Sequence, residues 1–349
     1  MKFGVFDHVD RGASSLAELY ESRLKLAEIY DRSGFYAYHI AEHHATPLGM
    51  ASSPSVFLAA VAQRTRRLRF GPLVYILTLS HPLRILEEIC MLDQMSNGRL
   101  ELGVGRGVSP YEVGYFGVDA RRSPKIYTEA YQIILQGLQS REINFEGEMF
   151  HLKNVPVAME CVQKPHPPIW YGLSHPNAVP WAAQNNVNIV CNGLAAPVRA
   201  ITDRYRQEWQ QAQKSQESNS ASSGAGLPMM GIGRFIVVGE TSKEAFEIGQ
   251  RGFNVWYANL MLLWRQHGNP LTNYPIPEDF TAAVNAGIAI TGTPDQVTEG
   301  LKREIATSNV NYLLTRFAFG DLSHEESVHS LSLFTAKVMP EFVSEPAHA

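Results

Sequence analysis

The chain has 349 residues, of which 45% are hydrophobic and 18% charged, and its formal net charge is −4. This composition provides for a large core and excludes disordered and fibrous classes, and 30 basic residues spread along the chain leave no electrostatic footprint for nucleic acid. Three cysteines without CxxC spacing, Cys90, Cys161 and Cys191, fit neither a disulfide framework nor a zinc knuckle, so a reducing, cytoplasmic compartment is expected.

Taken in chain order, apolar runs alternate with amphipathic stretches. Residues 3–6 read as strand, 16–33 as helix and 35–41 as strand, which is a βαβ unit. Helix 54–65, strand 68–77, helix 82–95 and strand 100–104 follow. Next come helix 124–140, strand 169–172, helix 177–184, strand 187–191 and helix 197–214. Strand 233–238, helices 243–264 and 294–308, strand 312–317 and helix 325–338 complete the chain. Eight strands, each followed by a helix, fit an α/β fold; a doubly wound sheet also alternates this way, but eight units favour a TIM (β/α)8 barrel in one domain over 1–349.

Three segments break the rhythm. A hairpin insertion is expected at 145–168, with Glu146-Gly147-Glu148 as its turn and prolines at 165, 167 and 168. The Ser-, Asn- and Gly-rich stretch 216–228 reads as a flexible loop, and 265–292, with three prolines, as a candidate lid over a site. Asp7 and His8 stand where a signal peptide needs its apolar run, and no stretch of 18 uncharged apolar residues occurs, so neither a leader nor a membrane span is expected.

In such a barrel the reacting groups stand at the C-terminal ends of the strands. Strand one ends in Asp7-His8, and strand two ends in Glu42-His43-His44, a carboxylate and two imidazoles suited to acid–base work near neutral pH. Strand three runs to His81, and a histidine at any of these ends also serves as a helix cap or as rim packing. His39 and His43 have the spacing of a helical zinc pair, but 36–40 reads as strand, so no metal site is expected. Gly103-Val104-Gly105-Arg106-Gly107-Val108 fails the dinucleotide fingerprint, because valine stands at the third glycine position. Small residues there still admit a flat ligand, and Arg106 suits a phosphate unless it is merely solvated. Ser174 and Asn177 precede the helix containing Trp181-Ala182-Ala183-Gln184, as an anion site or as an ordinary cap. Tyr75, Trp170 and Phe6 are candidates for pocket walls.

With these residues in this order, the chain resembles the bacterial luciferase-like flavin monooxygenases over nearly its whole length. The resemblance rests on Met1-Lys2-Phe3-Gly4, Gly34-Phe35 leading to Glu42-His43-His44, His81-Pro82-Leu83-Arg84, and the run Leu92 to Leu100. It also rests on Arg106-Gly107, Trp181-Ala182-Ala183-Gln184 and Gly292-Thr293-Pro294. It implies a TIM barrel, reduced flavin mononucleotide (FMN) as cosubstrate, and dioxygen used through a flavin 4a-hydroperoxide to oxygenate a small organic substrate such as an aldehyde or ketone. It further implies a separate flavin reductase and pairing through the helices of the first units, as a homodimer or with a related subunit, with 82–95 the candidate surface. His43 takes the acid–base role, with His44 and Glu42 orienting it. Arg106 takes the phosphate. Leu73-Val74 lies where the family often has a non-prolyl cis peptide beneath the flavin, and Gly105 replaces the reactive cysteine of the light-emitting enzyme, which argues against light emission. Two readings share the fold: a deazaflavin-dependent hydride-transfer oxidoreductase and a non-catalytic flavin-binding protein.

Overall fold

The computed structural model describes residues 1–173, 175–217, 226–269 and 276–342, with the backbone alone for 215–217. The N-terminal half holds β1 (Lys2–Asp7), α1 (Leu16–Arg32), β2 (Ala37–Ile40), α2 (Pro54–Arg64), β3 (Arg69–Pro72), β4 (Tyr75–Ile76), α3 (Pro82–Met95), β5 (Leu102–Gly105), α4 (Pro110–Tyr115) and α5 (Ser123–Gln139). A hairpin of β6 (Glu142–Glu146) and β7 (His151–Pro156) precedes β8 (Ile169–Gly172), α6 (Val179–Gln184), β9 (Asn188–Cys191) and α7 (Ala195–Glu217). The remainder is β10 (Met230–Val238), α8 (Ser242–Gln266), α9 (Phe280–Asn285), β11 (Ala289–Gly292), α10 (Pro294–Ser308), β12 (Tyr312–Arg316) and α11 (His324–Leu333).

Local chemistry sets the helix boundaries. Ser15 and Glu18 form a reciprocal capping box at the start of α1, Pro82 opens α3, and Asn309 closes α10 in the left-handed conformation at φ 55°. The strands are buried on both faces, as parallel strands between a packed lumen and a ring of helices must be.

The strands pair in parallel in the order β3-β2-β1-β12-β10-β9-β8-β5-β4. The third barrel strand is split into β3 and β4 around Leu73-Val74, whose peptide bond is cis. An isolated bridge between Phe70 and Leu100, with the β4–β5 pairing, brings the two ends of the order together into a nearly closed barrel. At that junction the backbones of β3 and β5 approach so closely that a Cβ on Gly103 would lie 2.2 Å from the carbonyl oxygen of Pro72.

Polar groups fill the lumen below the site. Glu101 is fully buried and accepts from the Tyr36 hydroxyl at 2.9 Å, from the Trp170 indole and from the Arg69 guanidinium. His39 contacts the Tyr312 hydroxyl at 3.1 Å, and burial pushes its pKa down to about 3, so this histidine is a neutral core residue. In the Leu92 to Leu100 run, Arg99 donates to the carbonyls of Leu68 and Ala62, at 2.7 and 2.8 Å, and so ties α2, α3 and β3 together; its role is architectural.

Two expectations are corrected here. The stretch 265–292 is not one lid: α9 lies within it, and β11 joins the sheet beside β10 in the register Phe235 with Ala289 to Val238 with Gly292. The short apolar run Ala289-Ile290-Thr291 reads as strand only once its partner is known. The hairpin occupies 142–156, earlier than expected, because Glu142 already pairs with Pro156. Residues 218–225 of the expected flexible loop and 270–275 of the expected lid lie outside the described residues. Among the described residues no helix is long and apolar enough to cross a membrane.

Candidate active site

A cavity of about 870 Å³ opens at the C-terminal ends of the barrel strands. Phe6 and His8 reach it from β1, Glu42 and His43 from the end of β2, and Leu73 and Val74 from the break in the third strand. Gly105 to Ser109 with Glu112 enclose it from β5 and α4, Arg316 from β12, and Leu260, Leu263 and Trp264 from α8.

The two adjacent histidines have separate carboxylates. His43 Nδ1 lies 3.1 Å from Oε1 of Glu112, and the other oxygen of Glu112 accepts the backbone N–H of His44 at 2.8 Å. His44 Nε2 lies 2.9 Å from Oε1 of Glu42, whose second oxygen accepts the N–H of Ile76 at 2.9 Å. This corrects the expected arrangement: Glu42 and His44 orient each other, and Glu112 orients His43. A carboxylate partner makes Nδ1 the donor, so Nε2 is the His43 ring nitrogen on the side away from Glu112. The His44 ring stands edge-on to Phe116, with centroids 4.6 Å apart, and His44 is not part of the cavity wall.

His8 stacks beside His43 with ring centroids 5.7 Å apart, and its Nδ1 accepts from the Trp256 indole at 3.3 Å. Burial, then the charge of Arg316, then His43, hold its pKa well below the usual histidine range, so His8 is neutral.

Beside β2, on the neighbouring third strand, Val74 packs so closely over β5 that a Cβ on Gly105 would lie 2.4 Å from its Cγ2. Leu73, Val74 and Gly105 thus give this part of the cavity an apolar wall, with the exposed residue Arg106 next to it. Among the described residues the Arg106 guanidinium has no ion-pair partner, while its carbonyl accepts from Thr78 at 2.9 Å. The neighbouring rim is β8, paired to β5.

Several expected site residues fall elsewhere. Ser174 lies outside the described residues. Asn177 is exposed in a 3-10 turn, Pro176–Ala178, and does not cap α6; the side chain that caps there is His175, whose Nδ1 accepts the N–H of Asn177 at 3.3 Å. A proline one residue before Asn177 starts the tighter turn, and Asn177 is not part of the cavity wall. His81 caps α3, accepting the N–H of Leu83 at 3.3 Å. Tyr75 points away to Ser55, and Trp170 is wholly in the lumen, so of the three proposed wall aromatics only Phe6 lines the cavity. Strand alternation explains Tyr75, since successive side chains on a barrel strand face the lumen and the helices in turn, whereas Trp170 faces the lumen like Phe6 but below the cavity, where it donates to Glu101.

Three residues in the cavity wall were not assigned roles from sequence. Glu112 stands three residues after Ser109, whose hydroxyl accepts its N–H at 3.3 Å, a helix-start pattern readable in Ser109-Pro110-Tyr111-Glu112 but silent about His43. His8 and Arg316 stand at the C-terminal ends of β1 and β12, as His43 stands after β2. Among the described residues no group of three or more His, Cys, Asp or Glu side chains could hold a metal ion.

Known proteins were compared with the chain. The profile of a family described as luciferase-like monooxygenase matches residues 1–310. The uncharacterized protein y4wF of Sinorhizobium fredii is 41% identical over 97% of this chain and 96% of its own length. The oxygenase component of a flavin-dependent trigonelline monooxygenase from Acinetobacter baylyi is 31% identical over 54% of this chain, and the match spans 53% of that protein. In structure, the oxygenating constituent of 3,6-diketocamphane monooxygenase from Pseudomonas putida, solved with FMN, superposes with a TM-score of 0.77 at 20% identity and covers 99% of both chains.

Proposed function

The chain belongs to the luciferase-like monooxygenase family, and from that premise we propose that it binds reduced FMN and, with dioxygen, oxygenates a small organic substrate, aldehydes and ketones being the first class to test. The observation that carries the reading is the meeting, in one cavity, of a carboxylate-held His43 with the apolar wall of Leu73, Val74 and Gly105 beside Arg106.

The residues present fit a flavin. Gly105 without a side chain lets Val74 close down over β5, which leaves a flat floor for a ring system, and Arg106 stands where a phosphate at the cavity edge meets a charged, forked donor. The reduced flavin supplies the two electrons that activate dioxygen. Arg106 fixes the phosphate end, and the Leu73-Val74 and Gly105 surfaces hold the ring. Nε2 of His43, on the side away from Glu112, would take a proton from the reacting oxygen and return it afterwards, within the roughly 10² to 10⁴ in rate that a positioned proton-transfer group contributes. Leu260, Leu263 and Trp264 on α8 exclude water from above.

The chain carries no nicotinamide fingerprint, so electrons come from a separate flavin reductase in the cytoplasm; the oxygenase-component description of the trigonelline relative supports this division of labour. The outer faces of α2 and α3 expose Val56 (73%), Met91 (51%) and Met95 (44%), and we assign them to a homodimer interface. Supplying reduced FMN or a reduced deazaflavin, each with oxygen and a carbonyl panel, tests the reading. Oxygen uptake and oxygenated product with reduced FMN are expected. Hydride transfer from the deazaflavin without oxygen uptake would replace this reading.

A further inference from the structure

His8 and His43 stand side by side on the cavity wall, with ring centroids 5.7 Å apart and planes 23° from parallel, yet their surroundings give the two rings opposite duties. The His8 ring is wedged between Phe6, edge-on at 4.9 Å between centroids, and Trp256, at 5.6 Å. Trp256 is fully buried, and its indole N–H, a group that can only donate, is directed at Nδ1 of His8 at 3.3 Å. Nδ1 must therefore carry a lone pair. A buried indole N–H without an acceptor is costly, so this contact selects the tautomer.

The proton of the neutral ring then lies on Nε2. Burial, followed by the charge of Arg316 and by His43, keeps His8 from taking up a second proton. Among the described residues no group accepts from Nε2. Nor is this atom sealed in: the enclosed, unpartnered nitrogens include Nδ1 of the core residue His39 but not Nε2 of His8, so the N–H opens onto the cavity that His8 lines. His43 is the complement, because its Nδ1 faces Glu112 and its Nε2 keeps the lone pair. One wall thus offers a fixed donor and a fixed acceptor on adjacent rings. Phe6, Leu73, Leu260 and Leu263 line the same cavity, and a single neutral donor in such a setting suits a mostly apolar ligand with one oxygen acceptor.

We propose that Nε2–H of His8 donates to the carbonyl oxygen of the substrate, orienting and polarising it while His43 handles the proton. This deepens the proposed monooxygenase function and rests on it for the carbonyl class. A neutral donor held in place by Trp256 needs no reorganisation to meet that oxygen, and the hydrogen bond strengthens as negative charge builds there, which favours the reacting state over the bound one.

Two measurements on the full chain test it. In nitrogen NMR of protein carrying isotope-labelled histidine, with the His8 signals assigned by their loss in His8→Gln, the ring should stay neutral and protonated at Nε2 between about pH 5 and 8. A ring that titrates there, or that carries its proton on Nδ1, overturns the proposal. Calorimetry then compares cyclohexanone with methylenecyclohexane and benzaldehyde with styrene, pairs in which a CH2 group replaces the carbonyl oxygen. At least one carbonyl compound should bind roughly two- to tenfold more tightly than its partner, the net effect of one hydrogen bond. His8→Phe should abolish that preference with FMN affinity within a few-fold, and His8→Gln, which keeps a donor and an acceptor, should retain part of it. The wild-type comparison needs no variant to fold. A histidine that only packs against Trp256 would lower the melting temperature when replaced and leave the preference in place. If His8→Phe keeps the preference, the role of His8 falls and the carbonyl class stands; if the wild type prefers no carbonyl compound, both fall. A wild type with the preference, lost in His8→Phe, but no oxygenated product from reduced FMN keeps His8 as the carbonyl donor and overturns the monooxygenase reading.

Discussion

Glu112 holds His43 and His44 at once, with Oε1 at 3.1 Å from the ring of the first and Oε2 at 2.8 Å from the backbone N–H of the second. A short helix on the loop after β5 thereby fixes the tautomer of a side chain on the loop after β2. Neither residue is near the other in sequence.

From this pair, His43→Asn should lower oxygenated product by about 10² or more while FMN still binds, with the consumed oxygen released as hydrogen peroxide. Glu112→Gln offers an amide donor to Nδ1 and so reverses the tautomer. A loss of roughly 10- to 100-fold in product rate is expected, with little change in melting temperature. A coupled assay that reads product and peroxide together checks both. Product above half the wild-type level in either variant would remove His43 from the proton-transfer role.

Arg106→Ala should weaken FMN by on the order of ten- to hundredfold, the equivalent of the roughly 1.5–3 kcal/mol of a charge-assisted hydrogen bond. Riboflavin, which lacks the phosphate, should be unaffected. Equal losses for both ligands in fluorescence titrations would refute a phosphate contact.

Asp10 gives a pH dependence of stability. Its Oδ2 accepts the N–H of Gly320 at 2.7 Å, and its pKa is raised to about 7 by burial and by Asp7, against the opposing pull of Arg23. The folded chain therefore holds a proton that the unfolded chain releases near pH 4, so this stabilisation is fully present below about pH 4 and is lost as pH rises through about 7. Asp10→Asn cannot titrate. Its unfolding free energy relative to wild type should rise by roughly 4 kcal/mol between those limits, three pKa units at 1.36 kcal/mol each. Parallel denaturation curves at pH 4, 5.5 and 7 read the slope, and a pH-independent difference would contradict it.

Met91→Glu should place a charge in the assigned interface and shift the protein to monomer at micromolar concentration, while the same change at a solvated position of the hairpin, such as Lys153→Glu, should not. Light scattering decides it. A wild-type monomer would dispose of the interface.

Much of the barrel was legible because helix starts and buried parallel strands leave local marks. The Pro82–Met95 and Pro294–Ser308 helices and the Ile169–Gly172 strand coincide with expectation, since proline at the first turn and continuous apolar runs are properties of the chain itself. The split of the 68–77 strand at Leu73-Val74 and the extra strand Ala289–Gly292 were not read, because a strand of two to four residues is defined by its partner.

The site divides in the same way. Sequence alone determined that Glu42, His43, Arg106 and Gly105 stand at strand ends facing one mouth, because a parallel barrel delivers every strand's C-terminus to the same face. Only the tertiary structure decided which carboxylate serves which histidine, that Asn177 and His81 sit in turns and caps, and that Arg316 lies under the cavity between Phe6 and Phe235. Those relations join residues from 2 to more than 300 positions apart, and they are set by the closure of the barrel, which brings β1 beside β12 and turns particular side chains into the lumen.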